Sequence, residues 1–296
     1  MKTLTEHLFS ASVRPHQMPL RQIPQWGHWL ETPDLKVILV PGGQLEIDLV
    51  APVNMVSTRF VPGRGLAAFN SDTWRPYRSQ PGGFDVIPKA ANYRSRETAG
   101  QFLVCLYESS IMHQIAAEYT ADRELKLLPG QIQQSPKGQR LAQAMYAFFN
   151  NSPVSEALYL ESLATLIMGH VIAHHSNLSG CLKKVPDLLT PYTLKIAIAY
   201  IQDHLDRSLS LLEIAQAVGL SAYYFAHAFK ATTGIPPHQY VRQCRLRKAQ
   251  QLLQHSHQSI AEIAYATGFG SQSHMTTVFR KTLQTTPAAY RKQVVL

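Results

Sequence analysis

The last third of the chain says nearly the same thing twice. Leu212-Glu-Ile-Ala-Gln-Ala-Val-Gly-Leu-Ser221 runs alongside Ile260-Ala-Glu-Ile-Ala-Tyr-Ala-Thr-Gly-Phe-Gly-Ser271. Ile214, Ala215 and Gly219 match Ile263, Ala264 and Gly268 at an offset of 49. One inserted residue, Gly270, moves the offset to 50. Ser221, Phe229, Lys230, Pro237 and Tyr240 then match Ser271, Phe279, Arg280, Pro287 and Tyr290. A repeat constrains the architecture more than any other signal, because each copy must build the same local unit.

Each copy has the grammar of a helix-turn-helix. A short helix carries apolar residues at Leu212, Ala215 and Val218, and the small Ala215 and Ala264 let a second helix cross closely. A glycine supplies the positive φ that ends the first helix. Ser221 and Ser271 stand where an N-cap oxygen is wanted. The second helix then sets Phe225 and Phe229 four apart on one face, as Met275 and Phe279 do in the other copy. The face left over reads Ala222, Tyr223, Ala226, His227 and Lys230, and in the second copy Gln272, Ser273, Thr276, Thr277, Arg280 and Lys281. A helix presented in this way is a common route into the DNA major groove. A single copy would equally suit a small helical hairpin with no role on DNA.

Charge separates those two readings. From Ile214 to Leu296 there are nine Lys/Arg against one acid, Glu262, within 83 residues. The whole chain carries +9, yet residues 1–185 contribute only +3 and the shorter remainder +6. Attraction to phosphate supplies most non-specific affinity for DNA, so a basic excess gathered on the repeated segment is the expected footprint.

The segment resembles the paired helix-turn-helix domain of the AraC/XylS family of bacterial transcription regulators. The residues that carry the likeness are Ile214-Ala215, Gly219, Ser221, Phe225, Phe229-Lys230, Gly234, Pro237, Tyr240, Arg245, Ala249, Leu252-Leu253, Ile260, Ile263-Ala264, Gly268-Phe269, Ser271, Phe279-Arg280, Pro287 and Tyr290-Arg291. It covers about a third of the chain. Leu220 departs from the usual aromatic after the glycine, Met275 from a common Phe, and Gln284 from a frequent Gly. The resemblance implies base reading by Ala222, Tyr223, His227, Gln272, Ser273 and Thr277. It implies phosphate contacts from Ser221, Lys230, Ser271, Arg280 and Lys281. It also implies double-stranded promoter DNA and RNA polymerase as partners, and activation as the common output. Gln can bond an adenine edge in bidentate fashion. His227 is an unusual reader that titrates near neutrality.

The 296 residues are enough for two domains. Residues 20–107 read as β-rich. Leu35–Val40 is a β-branched run, Gln44–Val50 alternates with Leu45, Ile47 and Leu49 inward, and Asn54–Phe60, Gly65–Asn70 and Gln101–Tyr107 follow. Turns fall at Pro62-Gly63, Pro76 and Pro81-Gly-Gly83. Many short strands at close spacing predict a sandwich or small barrel whose mouth can hold a ligand. Pro81-Gly-Gly-Phe-Asp-Val-Ile-Pro88 resembles a step of the cupin-like sensor domains found in the same family. Trp26, Trp29, Trp74, Tyr77 and Tyr93 mingle with Arg75, Arg78, Arg94 and Arg96, a mixture suited to a small planar or anionic effector. Trp74, Tyr77, Arg78 and Tyr93 are the candidate effector pocket. Aromatics also pack barrel interiors and arginines line surfaces, so this expectation is held for the domain rather than for any one side chain.

Ser109–Tyr119, Lys137–Phe149 and Glu156–His175 read as helices. The last has more apolar surface than one packing face needs, and the resemblance implies that it pairs across a homodimer. The predicted fold is α+β. A cupin-like β-barrel or sandwich with a helical dimerisation segment fills residues 1–180 (β-rich 20–107, helical 109–175), and residues 181–192 form a linker. An all-α DNA-binding domain spans 193–293, with helix-turn-helix units at about 212–230 and 260–281. Pro237 to Gln254 should be one long helix holding two readers a duplex turn apart, ~34 Å. Its Arg245, set between apolar neighbours, is expected to be structural.

Other chemistries lack their residues. Residues 40–107 contain no His, so the His-x-His set of metal-dependent cupins is missing, and no metal or cofactor is expected. His174 and His175 are adjacent on a helix and point about 100° apart, poorly placed for one ion. There is no phosphate loop and no Gly-x-Ser-x-Gly elbow. Cys105, Cys181 and Cys244 are isolated, which fits a reducing cytoplasm. No apolar run approaches the roughly 20 residues of a membrane span, and the start lacks a signal-peptide core. The expectation is a cytoplasmic regulator, not an enzyme. The alternatives are a DNA-repair alkyltransferase-like enzyme fused to a DNA-binding module, which needs a reactive Cys, and a ligand-independent DNA binder.

Overall fold

The computed structural model describes residues 28–32, 35–112, 125–151, 157–179 and 188–294. Contacts divide the chain into two units, residues 1–151 with 163–184, and residues 152–162 with 185–296. His16, Trp26 and Cys181, most of the expected 181–192 linker, and the expected helix beyond Met112 lie outside the described residues.

The described residues of the first unit carry ten strands: β1 His28–Thr32, β2 Leu35–Val40, β3 Gly43–Val50, β4 Asn54–Arg59, β5 Gly63–Phe69, β6 Arg75–Ser79, β7 Phe84–Ile87, β8 Asn92–Ala99, β9 Phe102–Tyr107 and β10 Gly130–Ile132. They form two antiparallel sheets, a six-stranded one in the order β1-β2-β9-β4-β7-β10 and a four-stranded one in the order β3-β8-β5-β6. The strand pairings of the described residues all stay within one sheet or the other, so these residues make a two-layered sandwich and do not close a barrel. Ile38, Val40, Met55, Ile87, Phe102, Val104 and Leu106 of the larger sheet meet Tyr93, Leu45, Ile47, Leu49 and Phe69 of the smaller one in a shared core.

All six residues of β2 are buried, Lys36 among them, so both of its faces need cover, which accounts for the apolar run Val37–Val40. That cover comes from helices on the outer face of the larger sheet. Helix α1 spans Pro136–Asn151 and helix α2 Ala157–His174. The Tyr107 hydroxyl donates to the Ala164 carbonyl at 3.0 Å, and Phe84 meets the His170 ring edge-on at 5.7 Å. Burial, with His174 and Lys137 nearby, pulls His170 down to about 4, so it packs as a neutral ring.

The surplus apolar surface of α2, from which pairing across a dimer was expected, is taken up inside the chain. Leu160, Leu163, Ala164, Ile167, Met168, Val171 and Ile172 are all buried. By length and composition α2 could cross a membrane, but it is mostly buried, as the core helix of a folded unit is.

The second unit is helical: α3 Pro191–Asp203, α4 Leu211–Ala217, α5 Ala222–Thr233, α6 Pro237–His255, α7 Ile260–Ala266, α8 Gln272–Leu283 and α9 Pro287–Val294. The duplication in sequence is a duplication in packing. Leu211, Ile214, Ala215, Phe225 and Phe229 lie in one core with Val241 and Cys244 of α6. Ile263, Ala264, Met275 and Phe279 lie in another with Leu246, Ala249 and Leu253 of the same helix. Phe229 meets Tyr240 edge-on at 5.4 Å, and Phe279 meets Tyr290 edge-on at 5.8 Å.

Candidate nucleic-acid interface

The two turns are built from matching parts. Ser210 caps α4 by accepting the Glu213 N–H, and the Glu213 carboxylate reaches back to the Ser210 N–H, a complete capping box. Ser259 and Glu262 do the same for α7. Burial opposes the Glu213 charge, but the hydrogen bonds from Ser210 and Arg207 hold its carboxyl below the usual range, and the bonds from Ser259 do the same for Glu262 against a smaller effect of burial. The pattern Ser-x-x-Glu recurs at the repeat's offset and was readable in the sequence, where it went unnoticed. Each such cap stabilises its helix by about 1 kcal/mol.

Gly219 and Gly268 then turn the chain at φ 68° and 74°. Ser221 caps α5 through the Tyr224 N–H, and Ser271 caps α8 through the His274 N–H. Both cap serines expected at phosphates thus accept with their Oγ inside the motif, a bond that does not use the hydroxyl proton. Helix α5 ends on Gly234 in the left-handed region, and α8 ends on its counterpart Gln284, at φ 54°. A side chain there costs about 1 kcal/mol relative to Gly. Gln284→Gly should therefore raise the stability of the second unit by about 1 kcal/mol, a rise of roughly 4–8 °C in its helical melting midpoint for a domain of this size. An unchanged or lower midpoint would contradict this account of the cap.

The two candidate reading helices differ in what they expose. On α8, Gln272, Ser273 and Thr277 are exposed, as are Arg280 and Lys281 one turn on. On α5 the sequence reading needs correction. Ala222 and Tyr223 are buried, and so is Ala226. Ala222, Phe225, Ala226 and Phe229 recur at i, i+3, i+4 and i+7 and form one core stripe. Counting only the two phenylalanines left the small residues on the wrong side of the helix. Ala222 therefore packs in the core instead of lying on an exposed face. Tyr223 lies edge-on to the His227 ring at 4.8 Å, and His227 is half-buried. Lys230 is exposed.

Helix α6 carries both motifs. At 19 residues it is about 28 Å long. That length is comparable to the ~34 Å between successive major-groove faces. Arg245 holds its place in the frame: Nε donates to the Leu205 carbonyl at 3.2 Å and Nη2 to the Arg207 carbonyl at 2.6 Å. The structural role expected of it is the one it has. Arg291 makes a similar tie, from Nη2 to the Gln258 carbonyl at 2.6 Å.

In the sandwich the four candidate effector residues part company. Tyr77 and Tyr93 point into the interior, where both are buried. Arg78 is exposed, and Trp74 lies beneath the guanidinium groups of Arg94 and Arg96, 5.3 and 5.2 Å from its ring centre. The structure does not bring the four into one pocket, because side chains alternate across a strand and Tyr77 and Arg78 are neighbours.

The interior instead gathers polar groups that the sequence reading missed. Arg59 Nη2 donates to Glu97 Oε1 at 2.6 Å, and Nη1 donates to Ser57 Oγ at 3.0 Å. Ser57 and Tyr77 both donate to Asp85 Oδ2, at 3.1 and 2.6 Å, and Gln131 donates to Asp85 Oδ1 at 3.3 Å. Burial opposes the Arg59 charge, but Asp85, Tyr77 and Glu97 outweigh it and raise its pKa. Burial also raises Glu97 above the ordinary carboxylate range, against the pull of Arg59.

A family model described as a helix-turn-helix domain matches residues 214–293. The regulatory protein PocR of Salmonella typhimurium is 44% identical over 107 residues, which are 36% of this chain and 35% of that protein. The transcriptional activator RhaS of Klebsiella pneumoniae is 34% identical over 95 residues, 32% of this chain and 34% of that protein. The chain thus spans about a third of the length of these curated relatives. A solved AraC-type regulator structure from Chromobacterium violaceum is 33% identical, covers 34% of this chain and 91% of that one, and has a TM-score of 0.33.

Proposed function

We propose that this chain, whose residues 214–293 are a helix-turn-helix domain of AraC type, is a sequence-specific DNA-binding transcription regulator. It activates through RNA polymerase, and a small molecule bound by the β-rich domain controls it. One observation carries the DNA reading: two helix-turn-helix motifs with the same caps, turns and core pairs are mounted on one helix, and α8 turns Gln272, Ser273 and Thr277 outward beside Arg280 and Lys281. Gln272, Ser273, Thr277 and His227 face bases. Lys230, Arg280 and Lys281 meet phosphates, which position the protein without specifying sequence. The three cations also lie in the last turns of their helices, where they favour the helix dipole as well.

The reading extends to a homodimer in the cytoplasm, tested by sedimentation at micromolar protein. A monomer there would remove the dimer from it. An alkyltransferase-like enzyme would need a reactive thiol. Cys105 is buried and its thiol is pushed up to about 12 by that burial, and Cys244 is buried as well.

Selection from random duplexes, followed by footprinting with the full chain at physiological salt, tests the proposal. The expected result is a defined site whose protection spans two neighbouring turns of one face. Protection with no preferred sequence would instead identify a general DNA binder.

A further inference from the structure

The first half of α6 flanks a groove that lies outside both reading helices. Gln239, Arg242, Gln243 and Leu246 stand there at i, i+3, i+4 and i+7, one stripe of the helix. Val278, Lys281 and Thr282 of α8 line the other side, at i, i+3 and i+4, of a groove of about 370 Å³. Leu246 and Val278 are buried and make its floor. Arg242 is half-buried, and Gln243, Lys281 and Thr282 are exposed along the rim. The same stretch of α6 carries Val241 and Cys244, which belong to the first core, whereas Leu246 belongs to the second. The groove therefore lies between the two motifs.

The duplication supplies a comparison. At the offset of 50, the residues of α5 that match Val278, Lys281 and Thr282 are Ala228, Ala231 and Thr232. None of the three is charged, and the chain covers this flank itself. Leu189, buried in the first core, donates its N–H to Thr232 Oγ1 at 2.8 Å. Its counterpart Thr282 is exposed, and Lys281 stands where the first motif has a methyl group. Two copies with the same caps and core pairs thus differ here. One flank is neutral and covered, the other basic and open.

The lining selects the occupant. Two cations, two side-chain amides and a hydroxyl offer donors, and no lining residue is acidic. A phosphate oxygen, which carries charge and only accepts, suits such a set. The surroundings point to a phosphate of DNA. Lys281 follows Arg280 on α8, whose exposed face carries Gln272, Ser273 and Thr277. A duplex entered by both motifs in successive major grooves must pass its backbone across the span of α6 that joins them.

We propose that the groove between α6 and α8 seats one backbone phosphate of the bound duplex, with Arg242 and Lys281 supplying charge and the Gln243 amide a hydrogen bond. The inference rests on the reading of the second unit as a DNA binder. It adds a fixed contact on the joining helix, which positions both readers and specifies no base.

The test measures binding of the full chain to its selected duplex, to random duplex, and to selected duplexes carrying one uncharged methylphosphonate linkage at a time. One such linkage, between the two protected major-groove turns, should weaken the parent about tenfold. Gln243→Glu, which sets a carboxylate against the phosphate, should weaken selected and random duplexes alike by about tenfold and lower the salt slope by about one. On the duplex with that linkage, Gln243→Glu and the parent should bind within about twofold of each other. Gln251→Glu makes the same charge change at an exposed position of α6 about 12 Å further along, beyond the screening length of roughly 8 Å. It should cost less than about twofold. Equal losses from Gln243→Glu and Gln251→Glu, or a selected site indifferent to every linkage between the two turns, overturns the phosphate seat and leaves the DNA reading standing. Unchanged affinity with transcription lost in Gln243→Glu overturns it as well and gives the groove to a protein partner. A parent that binds no DNA defeats both.

Discussion

Gly268→Ala is expected to unfold the second unit, whereas Gly219→Ala, at the matching turn of the other motif, is expected to leave it folded. Both glycines have the same backbone conformation, φ 74° and 68°, so both substitutions cost about 1–2 kcal/mol of left-handed strain. Their surroundings differ. A Cβ at Gly219 meets nothing within 4 Å. A Cβ at Gly268 collides with the Leu205 backbone carbonyl and comes within 2.8 and 3.0 Å of the Arg245 guanidinium. That carbonyl accepts the Arg245 Nε–H, so moving it away breaks the tie between α6 and the end of α3. Overpacking adds roughly 1–3 kcal/mol and the severed hydrogen bonds to a charged group a further 1.5–3. A total near 5 kcal/mol is of the order of a whole domain's stability. All three Trp lie within the first 74 residues, so Trp fluorescence follows the first unit and loss of helicity follows mainly the second. The prediction is a helical transition lost or shifted far down in Gly268→Ala with Trp fluorescence unmoved. Equal effects from the two variants would show that the close approach at Gly268 is not a constraint.

The same pair shows what the chain discloses about itself and what it withholds. Both glycines were legible as turns because φ is set locally, by the glycine and the cap that follows. That only one of them is pinched depends on Leu205, more than 60 residues upstream, and local pattern carries no trace of it. The strands with an apolar face, β2, β3, β4, β5 and β9, were readable for the same local reason. Strand β8 was not, because Tyr93, Ser95 and Glu97 face in while Arg94, Arg96 and Thr98 face out, and polar residues on both faces leave no alternation. The charged cluster is invisible in sequence for that reason: Arg59, Asp85 and Glu97 look like solvent-facing residues until the two sheets are brought together. Ala222 and Ala226 were misread because a small residue serves a core stripe and an exposed face equally well. Capping-box residues Ser210 and Glu213, with Ser259 and Glu262, were missed although nothing hid them.

On α8, base contacts and phosphate contacts can be told apart by how binding fails. Gln272 stands at the first position of the helix, exposed, with Ser273 beside it and Thr277 one turn on. A Gln that pairs with an adenine edge contributes about 1–3 kcal/mol of discrimination, and Gln272→Ala removes that preference. The expected result is a loss of roughly 5- to 150-fold on the selected site, almost none on random duplex, and a relaxed base preference at one position. Arg280 and Lys281 lie at the far end of the same helix, and neither stands in an ion pair or hydrogen bond of its own side chain recorded among the described residues. Arg280→Ala and Lys281→Ala should weaken selected and random duplexes alike, and each should reduce the slope of log affinity against log salt by about one. Helicity of all three variants should match the parent, since the capping and core residues of α8 are untouched. If Gln272→Ala and Arg280→Ala weakened binding in the same way, with equal loss on random DNA and equal change in salt slope, α8 would be a phosphate-binding helix lying across the backbone, and sequence reading would have to come from elsewhere in the repeat.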